Sequence, residues 1–115
     1  MPSPPLAPDD GPIDFEHLNR MTLDDAGLEQ EVLAMFAAQS ASLMAALATV
    51  PSDAGALAHT LKGSARAIGA FGVAEAAARL EAALTAGVDP SGLLGELGTA
   101  VAEVRVAIET VLRRA

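Results

Sequence analysis

Residues 90–112 read PSGLLGELGTAVAEVRVAIETVL, and the spacing of their large apolar residues points to an all-α protein. These residues recur at alternating intervals of three and four, which places them on one face of an α-helix. Such a seam is typical of a helix that packs nearly antiparallel in a bundle. Pro90 and Ser91 suit the start of this helix. Its predicted inward positions are Leu94, Leu97, Val101, Val104, Ile108 and Val111.

A first long helix is predicted well upstream of this seam. It begins near Asp24 or Asp25, because acidic residues suit a helix N-terminus, and it stops at Pro51. The stretch VLAMFAAQSASLMAALATV within it has no charge over a length that could cross a bilayer. Its centre is polar and its bulky residues are spaced helically, so a bundle helix is favoured over a membrane span. The predicted inward stripe is Leu28, Val32, Met35, Phe36, Leu43, Leu47 and Val50.

A second helix follows the proline. Ser52 or Asp53 is its predicted N-cap, and a turn near Gly69 and Gly72 ends it. Around this helix, at about 100° per residue, one face is apolar and the opposite face carries His59. The predicted inward positions are Leu57, Leu61, Ser64 and Ile68, and the predicted outward positions are His59, Lys62, Gly63, Arg66 and Ala70.

A third helix is predicted from about Val73 to Gly87, with Leu80 and Leu84 facing inward. A short helix over residues 14–20 precedes all of these. Short connections between successive helices favour an up-down-up-down four-helix bundle with this short extra N-terminal helix. One such unit satisfies all four apolar stripes, so a monomer is predicted.

Length and composition set the class of protein. The chain has 115 residues, so a single domain over residues 13–115 is predicted behind a disordered Pro-rich tail, residues 1–12. It has no cysteine, which excludes disulfides and thiolate metal sites and fits a reducing, cytoplasmic location. Its formal net charge of -8 argues against nucleic acid and anionic membranes as partners.

The stretch AHTLKGSARAIGA, residues 58–70, carries the chemistry. His59 is exposed on its helix, and Gly63 lies one turn away on the same face, although glycine in a helix interior costs about 1 kcal/mol against alanine. The glycine leaves open space beside the imidazole, while Lys62, the only lysine, and Arg66 supply positive charge. A neutral imidazole nitrogen is a competent nucleophile toward an activated phosphoryl group. This arrangement therefore suits phosphoryl transfer, which depends mainly on positioning and charge stabilisation.

The run HTLKGSA with the following IGA, residues 59–65 and 68–70, resembles the signature of histidine-containing phosphotransfer (HPt) domains of two-component phosphorelays. The stretches IDFEHLNRM and EVLAMF, Gln39, and the pair Leu80 and Glu81 occur in the order that this family uses, and the resemblance covers roughly residues 13–112.

The resemblance implies a role for several residues. His59 is then the phosphoacceptor, Lys62 assists the phosphoryl group, and Gly63 gives a receiver domain room to dock. The implied partners are response-regulator receiver domains, which hold the magnesium, and a hybrid sensor histidine kinase. The implied protein binds no cofactor of its own and has no kinase activity, and the sequence agrees in lacking a Gly-rich nucleotide loop. Thr60 after the histidine, and no proline soon after it, differ from a sensor-kinase phosphoacceptor helix.

The residues that accompany His59, and the second histidine, also have explanations without a part in the chemistry. Arg66 is as well explained by a solvated side chain as by a contact to phosphate or to an acidic partner loop. Gln39 is either a hydrogen-bond donor toward the histidine helix or a polar residue at the rim of the core. Ser64 is predicted to bond back to the Thr60 carbonyl. His17 is predicted to be a solvated histidine, without the further ligands that a metal site requires.

The surface around His59 is predicted to combine charge with small or apolar side chains, as interfaces do. The candidates for this docking surface are Ala58, Ala67, Ala70, Met21, Leu28 and Met35. Packing in the core or at its rim explains Met21, Leu28 and Met35 at least as well. The leading function is a phosphorelay intermediate between receiver domains. The alternative is a helical adaptor that binds receiver or kinase domains through the same face without phosphorylation. A hydrolase is disfavoured, because no histidine, acid and serine are grouped by the helical spacing.

Overall fold

The structure, a computed structural model, describes residues 11–114 and is all-α, with no strand in that range. Its helices are α1 (Phe15–Met21), α2 (Ala26–Leu47), α3 (Ala54–Ile68), α4 (Phe71–Ala86) and α5 (Ser91–Arg114). Helix α2 packs on α3 and α5, and α4 packs on the same two helices, which closes a four-helix bundle. The predicted bundle with a short extra N-terminal helix is confirmed. The tail predicted to be disordered comprises residues 1–12, and all of it except residues 11 and 12 lies outside the described residues.

The core is built largely from leucine, valine and alanine. The seam of α5 is confirmed, with Leu97, Val101, Val104 and Ile108 buried. Alanines at Ala58, Ala65, Ala74 and Ala77 are buried where α3 and α4 pack together, and small side chains allow two helices to approach closely. Within residues 11–114 no helix combines the length and apolar character needed to cross a membrane.

The inward face of α2 differs from the prediction. Leu33, Phe36, Ser40 and Leu47 are its buried residues, whereas Leu28, Met35 and Val50 are exposed. The error has a physical cause, because α2 is apolar or uncharged nearly all round and its periodicity identifies no single face. Val50 lies beyond the end of the helix, in the turn before Pro51. The buried Ser40 hydroxyl donates to the Ala37 carbonyl at 3.2 Å, so this polar atom is satisfied within the core.

The helix starts follow the predicted acidic residues closely. Asp25 caps α2, and its carboxylate accepts a hydrogen bond from the Leu28 amide at 3.0 Å. Asp53 occupies the cap position of α3, although its side chain makes no capping hydrogen bond there. Helix α4 begins at Phe71 rather than Val73, so Gly72 lies within its first turn and does not shape the preceding turn as predicted.

Gly69 ends α3 and also holds α1 in place. It has a φ of 84°, and its carbonyl accepts a hydrogen bond from the Asp14 amide at 2.8 Å. A β-carbon at Gly69 would lie 2.7 Å from the Asp14 carbonyl oxygen. Ile13 and Leu18 are buried beside this contact, so the residue that ends the histidine helix also seats the N-terminal helix on the bundle.

Gly69→Ala is expected to lower the free energy of unfolding by about 2 kcal/mol or more. A non-glycine residue in the left-handed region costs about 1–2 kcal/mol, and the overlap with Asp14 adds to this cost. Gly87→Ala is the matched control, because Gly87 has a φ of 72° but open space around it. Urea denaturation of both variants measures the difference, and equal losses would contradict a specific contact between Gly69 and the start of α1.

Candidate functional site

The candidate site lies on the outer surface of α3, opposite the apolar face that packs on the other helices. Leu61, Ala65 and Ile68 are buried against the other helices, and this orientation directs His59 outward. The His59 side chain is 66% exposed. The sequence prediction of a surface histidine is therefore confirmed, and the imidazole is accessible to a partner.

Glu81 on α4 connects His59 and Lys62. Its Oε2 atom lies 3.1 Å from His59 Nδ1, and its Oε1 atom accepts a hydrogen bond from Lys62 Nζ at 2.8 Å. The carboxylate thus holds the histidine and the lysine together. Lys62 was predicted to point outward, but its side chain is only 18% exposed because it turns toward Glu81.

The hairpin formed by α3 and α4 explains why Glu81 meets His59. Both residues lie eleven positions from Ala70, which sits in the turn between the two helices. In an antiparallel helix pair, positions equally far from the turn lie at the same height along the bundle. Sequence reasoning missed Glu81 as a site residue, although this equal spacing from the turn was available to identify it.

The pKa of Glu81 is lowered, first by the hydrogen bond from Lys62 and then by the hydrogen bond from His59, and the positive charge of Lys62 adds to the effect. Partial desolvation opposes these contributions but does not outweigh them. Glu81 is therefore ionised at neutral pH. Because the pKa is lower in the folded chain, the contacts stabilise the fold above the unfolded pKa, and this stabilisation is lost as pH falls through the folded pKa.

Lys62→Met is expected to raise the pKa of Glu81 toward the ordinary value for a glutamate, and by more than His59→Gln raises it. The hydrogen bond from Lys62 is the largest of the lowering effects, and methionine keeps the length of the side chain without the charge. Carboxyl carbon NMR of Glu81 across an acid titration measures both shifts. A larger effect of His59→Gln would contradict the ranking of the two contacts.

The contact to Glu81 also determines which imidazole nitrogen is available. An ionised carboxylate only accepts hydrogen bonds, so Nδ1 of His59 must carry the proton in this contact. In the neutral ring, Nε2 then holds the free electron pair. The arrangement presents Nε2 as a nucleophile and fixes the orientation of the ring through Nδ1.

Gly63 leaves the surface next to His59 open. It is exposed, and within residues 11–114 no heavy atom beyond its chain neighbours and its own helix backbone lies within 4 Å of a β-carbon placed on it. Arg66, one turn further along α3, is exposed and makes no salt bridge within residues 11–114. Both residues are accessible to a docking partner.

Ala70 and Ala58 do not contribute to the surface. Both are fully buried, which corrects the prediction that they line it. Ala70 follows the end of α3 at Gly69, so the rotation of 100° per residue no longer gives its direction. Ala67 is exposed, as are Met21, Leu28 and Met35 among the predicted apolar contributors.

Gln39 and Ser64 line one shallow groove between α2 and α3, beside Met35 and Ala67. Gln39 is exposed, which fits a position at the rim, and Ser64 is half-buried. Among the described residues, no hydrogen bond joins the Ser64 hydroxyl to the Thr60 carbonyl, so that predicted contact is wrong. The Thr60 hydroxyl instead donates to the Ala56 carbonyl at 3.0 Å.

His17 is not the solvated residue that the sequence predicted. Its ring is half-buried and meets the edge of Phe71 with ring centroids 5.1 Å apart. Its Nε2 atom is buried without a hydrogen-bond partner among the described residues. It packs α1 onto the start of α4 and is separate from His59. Within residues 11–114, no group of three or more histidine and acidic side chains is placed to hold a metal ion.

Comparison with known proteins agrees with this geometry. A family model described as Hpt domain matches residues 31–114, which includes α3, α4 and the group of His59, Lys62 and Glu81, called the His59 cluster below. The searches of curated proteins and of solved structures returned no match. The family match covers most of the chain and includes all of α3, α4 and α5 and all but the first turn of α2.

Proposed function

The chain belongs to the Hpt domain family, whose members act in phosphotransfer in two-component signalling, and from this premise we propose that it is a phosphorelay intermediate. His59 accepts a phosphoryl group from the aspartyl phosphate of a receiver domain and passes it to the aspartate of another. The observation that carries the proposal is the exposed imidazole of His59, held through Nδ1 by Glu81 with Lys62 on the same carboxylate.

The transfer step follows from the tautomer of His59. The free electron pair of Nε2 attacks the phosphorus, an N–P bond forms, and the bond from phosphorus to the aspartate oxygen breaks. The receiver carboxylate leaves with the electron pair. Because Nε2 carries no proton at the start, no base is needed to remove one. Glu81 keeps its hydrogen bond to Nδ1 and stabilises the positive charge that develops on the ring.

Lys62 provides positive charge next to the reacting group. Its ammonium group donates a hydrogen bond to the Glu81 carboxylate that also contacts His59. A small rotation of the flexible lysine side chain therefore brings the ammonium group toward an oxygen of a phosphoryl group on His59. The magnesium that this chemistry requires is supplied by the receiver domain in this proposal. The chain itself contributes the nucleophile and the lysine.

The docking surface combines charge and apolar area around the histidine. Gly63 allows close approach, and Arg66 offers an exposed guanidinium to acidic groups of the partner. Met35, Ala67 and Leu28 add exposed apolar area on the same side of the bundle. A mixed surface of this kind suits a receiver domain, and a hybrid sensor kinase carrying such a domain is the proposed donor. The predicted cytoplasmic location stays a prediction.

The test is incubation of the full chain with a phosphorylated receiver domain and magnesium, followed by intact-mass measurement at neutral pH. The expected result is the added mass of one phosphoryl group, lost after acid treatment as a phosphoramidate requires. NMR of the phosphorylated, nitrogen-labelled chain should place the phosphoryl group on Nε2. A phosphoryl group on Nδ1 would contradict the role given to Glu81.

The adaptor alternative predicts a different result in the same experiment. If several phosphorylated receivers bind the chain but transfer no phosphoryl group, the phosphorelay proposal fails. Binding that is unchanged when His59 is replaced would then assign the same face to a phosphorylation-independent interaction.

A further inference from the structure

The outward face of α2 carries a second periodic stripe that the bundle core does not use. From Val32 to Ser52 the chain has no charged residue, although charged residues make up 19% of the whole. Alanines recur along this exposed face at alternating intervals of four and three, the spacing of a seam between packed helices. They are Ala34, Ala38, Ala41, Ala45 and Ala48, of which only Ala41 is partly buried.

Helix α5 continues this face with larger apolar side chains. Val106 is 62% exposed and Leu112 is 36% exposed, and both line a shallow groove with Ala37 of α2 and Ala102 of α5. Ala37 neighbours Ala34 and Ala41 on the helix surface, so the groove and the alanine stripe are continuous. We call this surface the α2–α5 face. It consists of Ala34, Ala37 and Ala38 on α2 and Ala102, Arg105, Val106, Glu109 and Leu112 on α5.

The charges on the α2–α5 face are self-complementary. Arg105 and Glu109 both line the groove, and each lies two positions from Ala107. A two-fold axis at the height of Ala107 would place α5 of two copies antiparallel, with each Arg105 opposite Glu109 of the other copy. Arg105 makes no salt bridge within the described part of the chain. Glu109 has only a long, exposed contact of 3.8 Å to Arg113, which contributes little.

Net charge limits where two copies can meet. Each copy carries a formal charge of -8, so association through an acidic surface would be opposed by repulsion. The α2–α5 face avoids this repulsion, because α2 is uncharged there and Arg105 balances Glu109. We propose that a second copy of this chain packs on the α2–α5 face, with Val106 at its centre, to form a two-fold symmetric dimer. This proposal replaces the monomer expected from the sequence.

The dimer would leave phosphotransfer unobstructed. Since α2 and α5 pack together on one side of the bundle, and α3 and α4 on the other, the His59 cluster points away from the α2–α5 face. Each copy therefore keeps its own accessible imidazole. The proposal does not depend on the phosphorelay function, and its test involves no phosphoryl group.

Sedimentation equilibrium of the full chain across a wide concentration range tests the association. We expect the apparent mass to rise from one copy to two, and Val106→Glu to remain at the mass of one copy throughout. Val88→Glu is the matched control, because Val88 is 57% exposed but lies in the loop between α4 and α5. It should dimerise like the wild type. A wild type that stays monomeric, or a Val106→Glu variant that still dimerises, overturns the proposal.

A charge exchange tests the symmetry. Arg105→Glu and Glu109→Arg each place like charges opposite one another twice in the dimer, and each should weaken association at least about tenfold. The double variant restores opposite charges at both positions and should recover most of the affinity, provided that circular dichroism shows all three variants folded. Failure of the double variant to recover would overturn the two-fold arrangement. If the wild type is monomeric and Val106→Glu no longer binds a receiver domain, the dimer proposal fails and the α2–α5 face is a receiver-binding surface instead.

Discussion

The His59→Gln variant is expected to accept no phosphoryl group from a phosphorylated receiver domain while keeping the fold of the wild type. Glutamine has no nucleophilic ring nitrogen, so the N–P bond cannot form. Because the side chain is 66% exposed, the melting temperature should change by no more than about 3 °C. Intact-mass measurement reports phosphoryl acceptance, and thermal unfolding by circular dichroism reports the fold.

The chain supplies its own control for this prediction in its second histidine. His17 is half-buried against Phe71, so His17→Gln should lower stability somewhat but leave phosphoryl acceptance intact. A phosphoryl group found on the His59→Gln protein would show that a residue other than His59 is the acceptor. Unfolding of His59→Gln would instead indicate that the histidine is structural.

The sequence predicted the elements whose signals are local. The α5 seam repeats large aliphatic residues at alternating intervals of three and four, so its four buried positions were predicted correctly. Asp25 and Gly69 mark helix ends through their own side chain and backbone, which need no distant partner. The exposure of His59 followed from the contrast between the two faces of α3.

The features that were missed depend on packing or on position beyond a helix end. Helix α2 lacks a polar face, and so its rotation is set by contacts with α3 and α5 rather than by its own pattern. Glu81 joins His59 only because α3 and α4 are antiparallel around a turn at Gly69 and Ala70. Ala70 was predicted to face outward by continuing a helix that in fact ends at Ile68. The half-buried His17 likewise reflects the docking of α1, which no local pattern indicated.

The function could be inferred in outline from the sequence because its signal is compact. His59, Lys62 and Gly63 lie within five residues of one helix, so helical geometry alone relates them. Glu81 lies on another helix, and its contact with Nδ1 gives what the local pattern could not provide, a reason to assign the reaction to Nε2. The orientation of the imidazole thus depends on tertiary packing, whereas its accessibility follows from the local helical pattern.

Replacement of Gly63 by glutamine is expected to make the protein more stable and a poorer phosphoryl acceptor. A β-carbon at Gly63 meets no heavy atom within 4 Å outside its own helix backbone, so the new side chain fits without strain. Removing glycine from a helix interior should raise the free energy of unfolding by about 0.5–1 kcal/mol. The same side chain would occupy the space beside His59 into which a receiver must dock. Transfer should slow at least about tenfold, which corresponds to roughly 1.4 kcal/mol of lost docking or transition-state contact.

Because Gly63→Gln should gain stability while it loses transfer rate, a slower transfer cannot be attributed to unfolding. Gly95→Gln is the matched control, because Gly95 is an exposed glycine with open space around it on α5, a helix that does not pack directly on the α3 helix of His59. It should gain similar stability and transfer at the wild-type rate. Transfer rates measured at saturating and limiting receiver concentrations would show whether Gly63→Gln weakens docking or the chemical step. If folded Gly63→Gln accepts phosphoryl groups as fast as Gly95→Gln, the open surface beside His59 has no role in docking. Receiver access would then not explain why a destabilising glycine stands within α3.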